Sequence, residues 1–327
     1  FAASAGVREI SVPPYKSGIQ YLVDCYGYSR HMRRALESLP PETIIYGQCL
    51  AVWSGVRNIQ TRFILNPHGL EPYQAIGLHA RIKLTPMRKA HDWLFWNSRH
   101  IVSLGGRLTD IIRRRKHPAA EIHVLPNAVS LPPAPAAKRF EPPYRLLFIG
   151  RHVFQKGITH LLQAIRRLDD RGLGGSLHLD VVGGGPLREQ LMHEFSHPCI
   201  TFHGAVSDDT MADLLRTADL FVFPTLFEGM PTAVMEAMAQ GTPIAVTDTG
   251  ATLELLTQAN GFLLRKEDPE HIADTVERFI EMPTEQKRRM GRAAYETIRD
   301  RFTWEKVAAD HRRLFQSLAR MRGGGYS

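Results

Sequence analysis

Strands alternating with amphipathic helices through both halves of the chain predict an α/β architecture of two doubly wound, Rossmann-like domains. Two further observations support it. At 327 residues the length suits two domains of ordinary size, and 43% hydrophobic content can fill a core in each. Between the halves, residues 131–143 (LPPAPAAKRFEPP) are rich in proline and follow neither helical nor strand periodicity, which marks an interdomain linker. The expected domains are residues 1–138 and 144–304, with a final helix over 305–321.

Composition narrows the function. Cys25, Cys49 and Cys199 are odd in number, widely spaced and outside any C-x-x-C pattern, so neither a disulfide framework nor a zinc site is expected. The cytosol is the expected compartment. No apolar run approaches the roughly eighteen residues of a membrane span, and no basic-then-apolar leader opens the chain, so any membrane contact is expected to be peripheral. The net charge of +8 is uneven: residues 1–140 hold 19 Lys+Arg against 8 Asp+Glu, and the remainder 22 against 25. A basic first half suggests an anionic partner there, such as anionic lipid or a phosphorylated acceptor. Nucleic acid, suggested by charge alone, is not expected.

In the first half, residues 15–39 read as mostly helical, with Arg33 and Arg34 on a polar face. Residues 42–48 hold a short strand, TIIYGQ, and 61–65 another, ending in Asn66-Pro67-His68-Gly69-Leu70-Glu71. Residues 80–96 read as one basic helix with Trp93, Phe95 and Trp96 near its end. Basic and aromatic side chains together can mark an interfacial surface, whereas aromatics at this spacing more often face a core; both readings stay open. A strand over 100–103 and a helix over 106–116 follow. The helix ends in four cations, which suit the negative end of its dipole or an anion site. A strand over 121–125 then leads into Pro126-Asn127-Ala128-Val129.

The second half opens with a strand over 144–149, the loop Gly150-Arg151-His152-Val153-Phe154-Gln155-Lys156-Gly157, and an amphipathic helix over 158–168. Arg151 and Lys156 flank a loop at a strand's carboxyl end, where fixed cations can stabilise an anion; two exposed surface cations are the plain alternative. A strand over 177–182 leads to Gly183-Gly184-Gly185-Pro186 and a helix. Position 188 is Arg188, so the third glycine of G-x-G-x-x-G is missing, and the cluster by itself reads as a tight turn. A strand over 200–203, the turn HGAVSDDTM and a helix over 211–217 follow.

The stretch DLFVFPTLFEGMPTAVMEAMAQGTPIAVTD, residues 219–248, reads as strand, loop, helix, strand. Pro224 ends the first strand because it supplies no amide for the ladder. Pro231 suits a first helical turn; Val234, Ala237 and Met238 recur at helical spacing; Gly241 stands where a left-handed cap is wanted. The helix is expected over 231–240. Loops at the carboxyl ends of such βαβ units form ligand crevices, which places Glu228 in one and lets Glu236 lean towards it. Amides around Gly229, Met230, Pro231 and Thr232 favour an anion such as phosphate, and the carboxylates can accept hydrogen bonds from sugar hydroxyls. An isolated pair of glutamates at this spacing is ordinarily solvated. Beyond it, Thr249-Gly250-Ala251 and a helix around Glu254 complete the cleft, a last strand covers 260–264, and amphipathic helices cover 269–281 and 284–300.

EGMPTAVMEAMAQGTPIAV resembles the E-x7-E motif of the family-4 retaining glycosyltransferases of the GT-B fold. The resemblance spans residues 42–310 and is strongest over 145–265. It implies two Rossmann-like domains facing a cleft, with the helix over 305–321 crossing back onto the first domain. It also implies sugar transfer from a nucleotide diphosphate sugar to an acceptor hydroxyl, with retention. Glu228 would lie by the donor sugar and Glu236 would hold the ribose. G-R-x4-K-G implies that Arg151 and Lys156 hold the diphosphate, so no metal and no cofactor is expected. NPHGLE implies that His68 reaches the reacting sugar, and the turn at Gly204 and Val206 would border the base. PNAV resembles the family's I-P-N-G-V signature with Ala128 in place of glycine. The family's glycine-rich first loop has no counterpart before Pro40, and GVREISVPP reads like an interior strand and turn, so an incomplete first domain is expected. The partners implied are a nucleotide-sugar donor and a carbohydrate or glycolipid acceptor, at the inner face of an anionic membrane if membrane contact occurs. Two other readings share this architecture: a GT-B sugar-nucleotide epimerase, which fits the paired glutamates less well, and a nucleotide-sugar-binding protein without transfer activity.

Overall fold

The computed structural model describes residues 21–75 and 77–323. The segment GVREISVPP and the tail after Gly323 lie outside them, and so do the expectations placed there. The described residues form two compact units. One takes those up to Leu104, Leu108–Leu125 and those from Asp310 on; the other takes Gly105–Arg107 and Pro126–Ala309.

The first unit runs α1 (Tyr21–Glu37), β1 (Ile45–Gln48), α2 (Val56–Ile59), β2 (Phe63–Asn66), α3 (Glu71–Gln74), α4 (Leu78–Lys83), α5 (Thr85–Asn97), β3 (His100–Ser103), α6 (Gly106–Arg113, of which Gly106 and Arg107 are counted with the second unit) and β4 (Glu121–Val124). Its four described strands are parallel, in the order β1-β2-β3-β4. Strand β2, Phe-Ile-Leu-Asn, is buried along its whole length, as a parallel strand covered on both faces must be. The single helix expected over 80–96 is instead α4 and α5, parted at Leu84. Pro86 accounts for the break, because proline has no N–H for an interior helical bond but fits a first turn. The aromatics divide between the two readings: Phe95 is fully buried, whereas Trp96 is exposed and meets His117 edge-on at 4.9 Å.

The second unit runs β5 (Tyr144–Ile149), α7 (Ile158–Asp170), β6 (Leu177–Val182), α8 (Arg188–Glu194), β7 (Ile200–Gly204), α9 (Asp208–Thr217), β8 (Leu220–Phe223), α10 (Thr232–Ala239), β9 (Ile244–Thr247), β10 (Gly261–Leu264), α11 (Pro269–Glu281) and α12 (Thr284–Arg301). All described strands are parallel, in the order β10-β9-β8-β5-β6-β7. The chain therefore builds outwards from β5 to β7 and returns to lay β8 on the other side of β5. Strand order reverses between β5 and β8, and in open parallel sheets ligands bind beyond the carboxyl ends at such a point. The helix expected around Glu254 is only a 3₁₀ turn, Thr252–Glu254.

The proline-rich stretch belongs to this second unit and is tied down without regular structure. Lys138 Nζ donates to the carbonyls of Leu215, Arg216 and Ala218 at 3.4, 3.0 and 2.6 Å, covering the carboxyl end of α9. Burial lowers the Lys138 pKa to about 8, against a smaller opposing effect of Asp219. Phe140 is buried edge-on to Phe279. The last helix, α13 (Trp304–Gly323), changes unit at Asp310, and its Leu314 and Leu318 join Ile64, Val102 and Leu125 in the first unit's core.

Candidate functional site

The loop after β5 is laid against the loop after β6 by backbone bonds. Gly150 N donates to Val182 O at 3.0 Å and His152 N to Gly184 O at 2.8 Å. A 3₁₀ turn, Phe154–Lys156, closes it, and Gly157 then starts α7 with φ +70°. A Cβ at Gly157 would overlap the Pro224 carbonyl, so glycine is required both by conformation and by the closeness of the two loops. Lys156 is thereby brought to Glu228. Its Nζ pairs with Glu228 Oε1 and lies 5.4 Å from the centre of the Phe223 ring. The two side chains are 21% and 13% exposed, so the pair is largely shielded from water. Arg151 is solvent-exposed at the head of the same loop.

The loop carrying Glu228 is held from several directions. Leu226 N donates to Gln155 O at 2.8 Å, and Thr225 Oγ1 lies 3.1 Å from that oxygen and 2.9 Å from Phe227 O. Asn127 Nδ2 donates to Met230 O at 2.9 Å, and Ala251 N to Gly229 O at 2.7 Å. Thr247 Oγ1 donates to Thr225 O, and Thr252 Oγ1 lies 2.7 Å from Thr247 O. Thr225, Thr247, Thr249 and Thr252 are fully buried. Gly250, at φ +51°, sits so close to the Glu228 and Gly229 carbonyls that no Cβ fits.

Pro231 stands at the N-cap of α10 and not within its first turn, and no side chain caps the helix. Because proline has no amide, the groups available to an anion are the first helical amides, those of Thr232, Ala233 and Val234. Glu236 lies one turn further on. Its head reaches solvent, yet desolvation by the surrounding protein raises its pKa above the usual 4.5. Gly241 takes the left-handed cap expected of it, at φ +72°.

Gly204 and Val206 lie at and just beyond the carboxyl end of β7, two strands from β5. Gly204 has φ +72°, and its carbonyl accepts from Gly183 N at 2.8 Å. His68 belongs to the first unit, just after β2. Its backbone is left-handed at φ +56°, its N–H donates to Asn66 Oδ1 at 3.2 Å, and its Nε2 pairs with Gln48 Oε1. Desolvation lowers its pKa below the usual 6.5.

Sequence reasoning passed over Phe223 beneath Lys156, Asn127 behind Met230, and the buried threonines. The threonines carried a signal: Thr225, Thr247, Thr249 and Thr252 lie at or just beyond two strand ends, where a hydroxyl can satisfy a loop carbonyl, as those of Thr225, Thr247 and Thr252 do. His152 carried none. It is fully buried and neither ring nitrogen has a hydrogen-bond partner among the described residues; desolvation, followed by the charge of Arg188, lowers its pKa.

Residues 143–282 match the model of the Glycosyl transferases group 1 family. An uncharacterised glycosyltransferase of Methanocaldococcus jannaschii is 27% identical over 183 residues, 54% of this chain and 46% of that protein. The GDP-mannose-dependent alpha-(1-6)-phosphatidylinositol dimannoside mannosyltransferase of Mycobacterium tuberculosis is 33% identical over 165 residues, 50% of this chain and 42% of its own length. The chain therefore spans less than half of either relative. Sucrose-phosphate synthase from Thermosynechococcus elongatus superposes with a TM-score of 0.78 over 95% of this chain and 83% of that one, at 19% identity. The fold is of the GT-B type. Among the described residues, no helix is long and apolar enough to cross a membrane.

Proposed function

We propose that this chain is a family-4 retaining glycosyltransferase that moves a sugar from a nucleotide diphosphate sugar to an acceptor hydroxyl without a metal ion. The observation that carries this reading is the Lys156–Glu228 pair at the switch point between β5 and β8. A largely shielded cation there can take up the charge that grows on a departing diphosphate, and Arg151 supplies a second. The uncapped amides of α10 add partial positive charge on the same loop.

In the proposed reaction the acceptor oxygen bonds to the anomeric carbon on the face that the diphosphate leaves. The bond between that carbon and the diphosphate oxygen breaks, its electron pair goes to the diphosphate, and a phosphate oxygen takes the acceptor proton. Glu228 orients the donor sugar, Glu236 accepts from the ribose, His68 contributes from the first domain, and backbone at Gly204 and Val206 borders the base. A carbohydrate or glycolipid acceptor is favoured by the name of the mycobacterial relative, which acts with GDP-mannose on phosphatidylinositol dimannoside. The proposed place is the cytoplasm, and peripheral contact there with an anionic membrane is favoured by α4, where Leu78 and Ile82 are 75% and 64% exposed beside Arg81 and Lys83.

Calorimetric titration with UDP, GDP, ADP and their sugar conjugates tests the donor site, with Glu236→Ala as the control. Selective binding that the variant loses supports it. Incubation of the bound sugar conjugate with glycolipid acceptors, followed by NMR of the product's anomeric proton, tests retention; an inverted product would refute the family-4 mechanism.

A further inference from the structure

Strands β3 and β4 bring together three metal-ligating side chains far apart in sequence. Their parallel register pairs His100 with Glu121 and Val102 with His123, so His123 stands two residues along β4 from Glu121 on the same face. One atom of each residue converges. His100 Nδ1 is 3.2 Å from His123 Nε2 and 3.6 Å from Glu121 Oε2, and the last two atoms are 3.9 Å apart. The imidazoles are 12% and 21% exposed, and the carboxylate, at 61%, closes the triangle from the solvent side.

We propose that His100, His123 and Glu121 bind a divalent transition-metal ion of the zinc class, which staples edge strand β4 to β3. Three donors about 2.0–2.2 Å from one tetrahedral Zn²⁺ stand about 3.3–3.5 Å apart, so the observed triangle lies within a few tenths of an ångström of one tetrahedral face. Two imidazoles with one carboxylate select zinc and its neighbours over calcium or magnesium, which prefer oxygen. Water supplies the fourth ligand. Both imidazoles stand on strands, so their placement is more rigid than a loop would give. His100 and Glu121 open β3 and β4 at their amino ends and His123 stands two residues along β4, whereas His68 follows the carboxyl end of β2. The ion is structural and takes no part in sugar transfer.

The test is titration of the full, chelator-stripped chain with Co²⁺, read by the visible absorption of a four-coordinate ion, and then displacement by Zn²⁺. One equivalent per chain is expected, with affinity about a hundredfold weaker in His123→Gln and about tenfold weaker in Glu121→Gln. Zn²⁺ is also expected to raise the melting temperature of the wild type and not of His123→Gln. His193→Gln, on exposed α8, controls for binding by surface histidines and should behave as wild type. His100→Gln gives the same readout from the partner strand. A wild type without one saturable equivalent would leave the pair as a plain hydrogen bond between two histidines and overturn the proposal. So would His100→Gln and His123→Gln variants that bind as tightly as wild type.

Discussion

Lys156 and Glu228, 72 residues apart, form an ion pair across the point where strand order reverses in the second unit. Each residue sits on a loop that the sheet delivers to one place: Lys156 after β5, Glu228 after β8. A shielded pair carries a larger desolvation cost than a surface pair and depends more on its partners. An entering diphosphate would share the three donors of the Lys156 ammonium with Glu228, coupling the phosphate position to that of the donor sugar.

Lys156→Ala and Arg151→Ala are each expected to lower kcat/KM for the donor by about a hundredfold, the usual scale for removing a preorganised charge stabiliser. Their melting temperatures should differ. Lys156→Ala removes the shielded partner of Glu228 and should melt earlier, whereas Arg151 is exposed and its loss should leave stability unchanged. Near-normal turnover in both variants would remove the diphosphate assignment.

Gly157→Ala is expected to destabilise the chain by about 2 kcal/mol or more, because φ +70° is strained for alanine and its Cβ would meet the Pro224 carbonyl. Gly184→Ala is its natural control, since nothing lies within 4 Å of a Cβ there. Urea denaturation of the two variants gives the comparison. Equal midpoints would mean that the loops after β5 and β8 are not in the close contact described.

Glu236→Gln should raise the melting temperature at about pH 7 while weakening nucleotide binding. Desolvation raises the folded pKa of Glu236 above 4.5, so the folded state holds its proton more tightly than the unfolded chain. The resulting cost is complete above the folded pKa and disappears as pH falls through it towards 4.5. The gain from glutamine should therefore vanish near pH 4. A gain that persists there would point to packing instead of charge.

Lys138 predicts a pH dependence of the opposite kind. Its folded pKa of about 8 lies below the ordinary 10.5, so between those values the unfolded chain holds more protons and stability rises with pH. Below pH 8 the cost of the buried charge is complete. Urea midpoints at about pH 7.5 and about pH 10 should shift in favour of the wild type relative to Lys138→Met, and a constant difference would contradict the burial of this amine.

Most strands and helices of the second unit were legible because each carries its own local signal. Strands β5 and β6 and helix α11 take the bounds that apolar runs and helical spacing predict, as β3 does in the first unit. Helices α4 and α5 were misjudged as one because hydrophobic periodicity continues through Leu84, while Pro86 alone marks the restart. Pro231 was placed one residue too far into α10 for a related reason: proline is tolerated at both positions, and only the hydrogen-bond pattern separates a cap from a first turn.

By itself the sequence determined the alternation of strand and helix, the glycines at left-handed caps, and the identity of Arg151, Lys156, Glu228 and Glu236 as candidates. The alternation and the caps follow from interactions within a few residues of one another, whereas the four candidates were singled out by their match to family motifs, since isolated glutamates and cations at such positions are ordinarily solvated. Only the tertiary structure decided that Lys156 faces Glu228 over Phe223, that Lys138 covers the end of α9, and that His100, Glu121 and His123 turn one triangle of donors to the same point. Those relationships depend on strand order and register, which are set by how whole elements pack together and leave no periodicity in the chain.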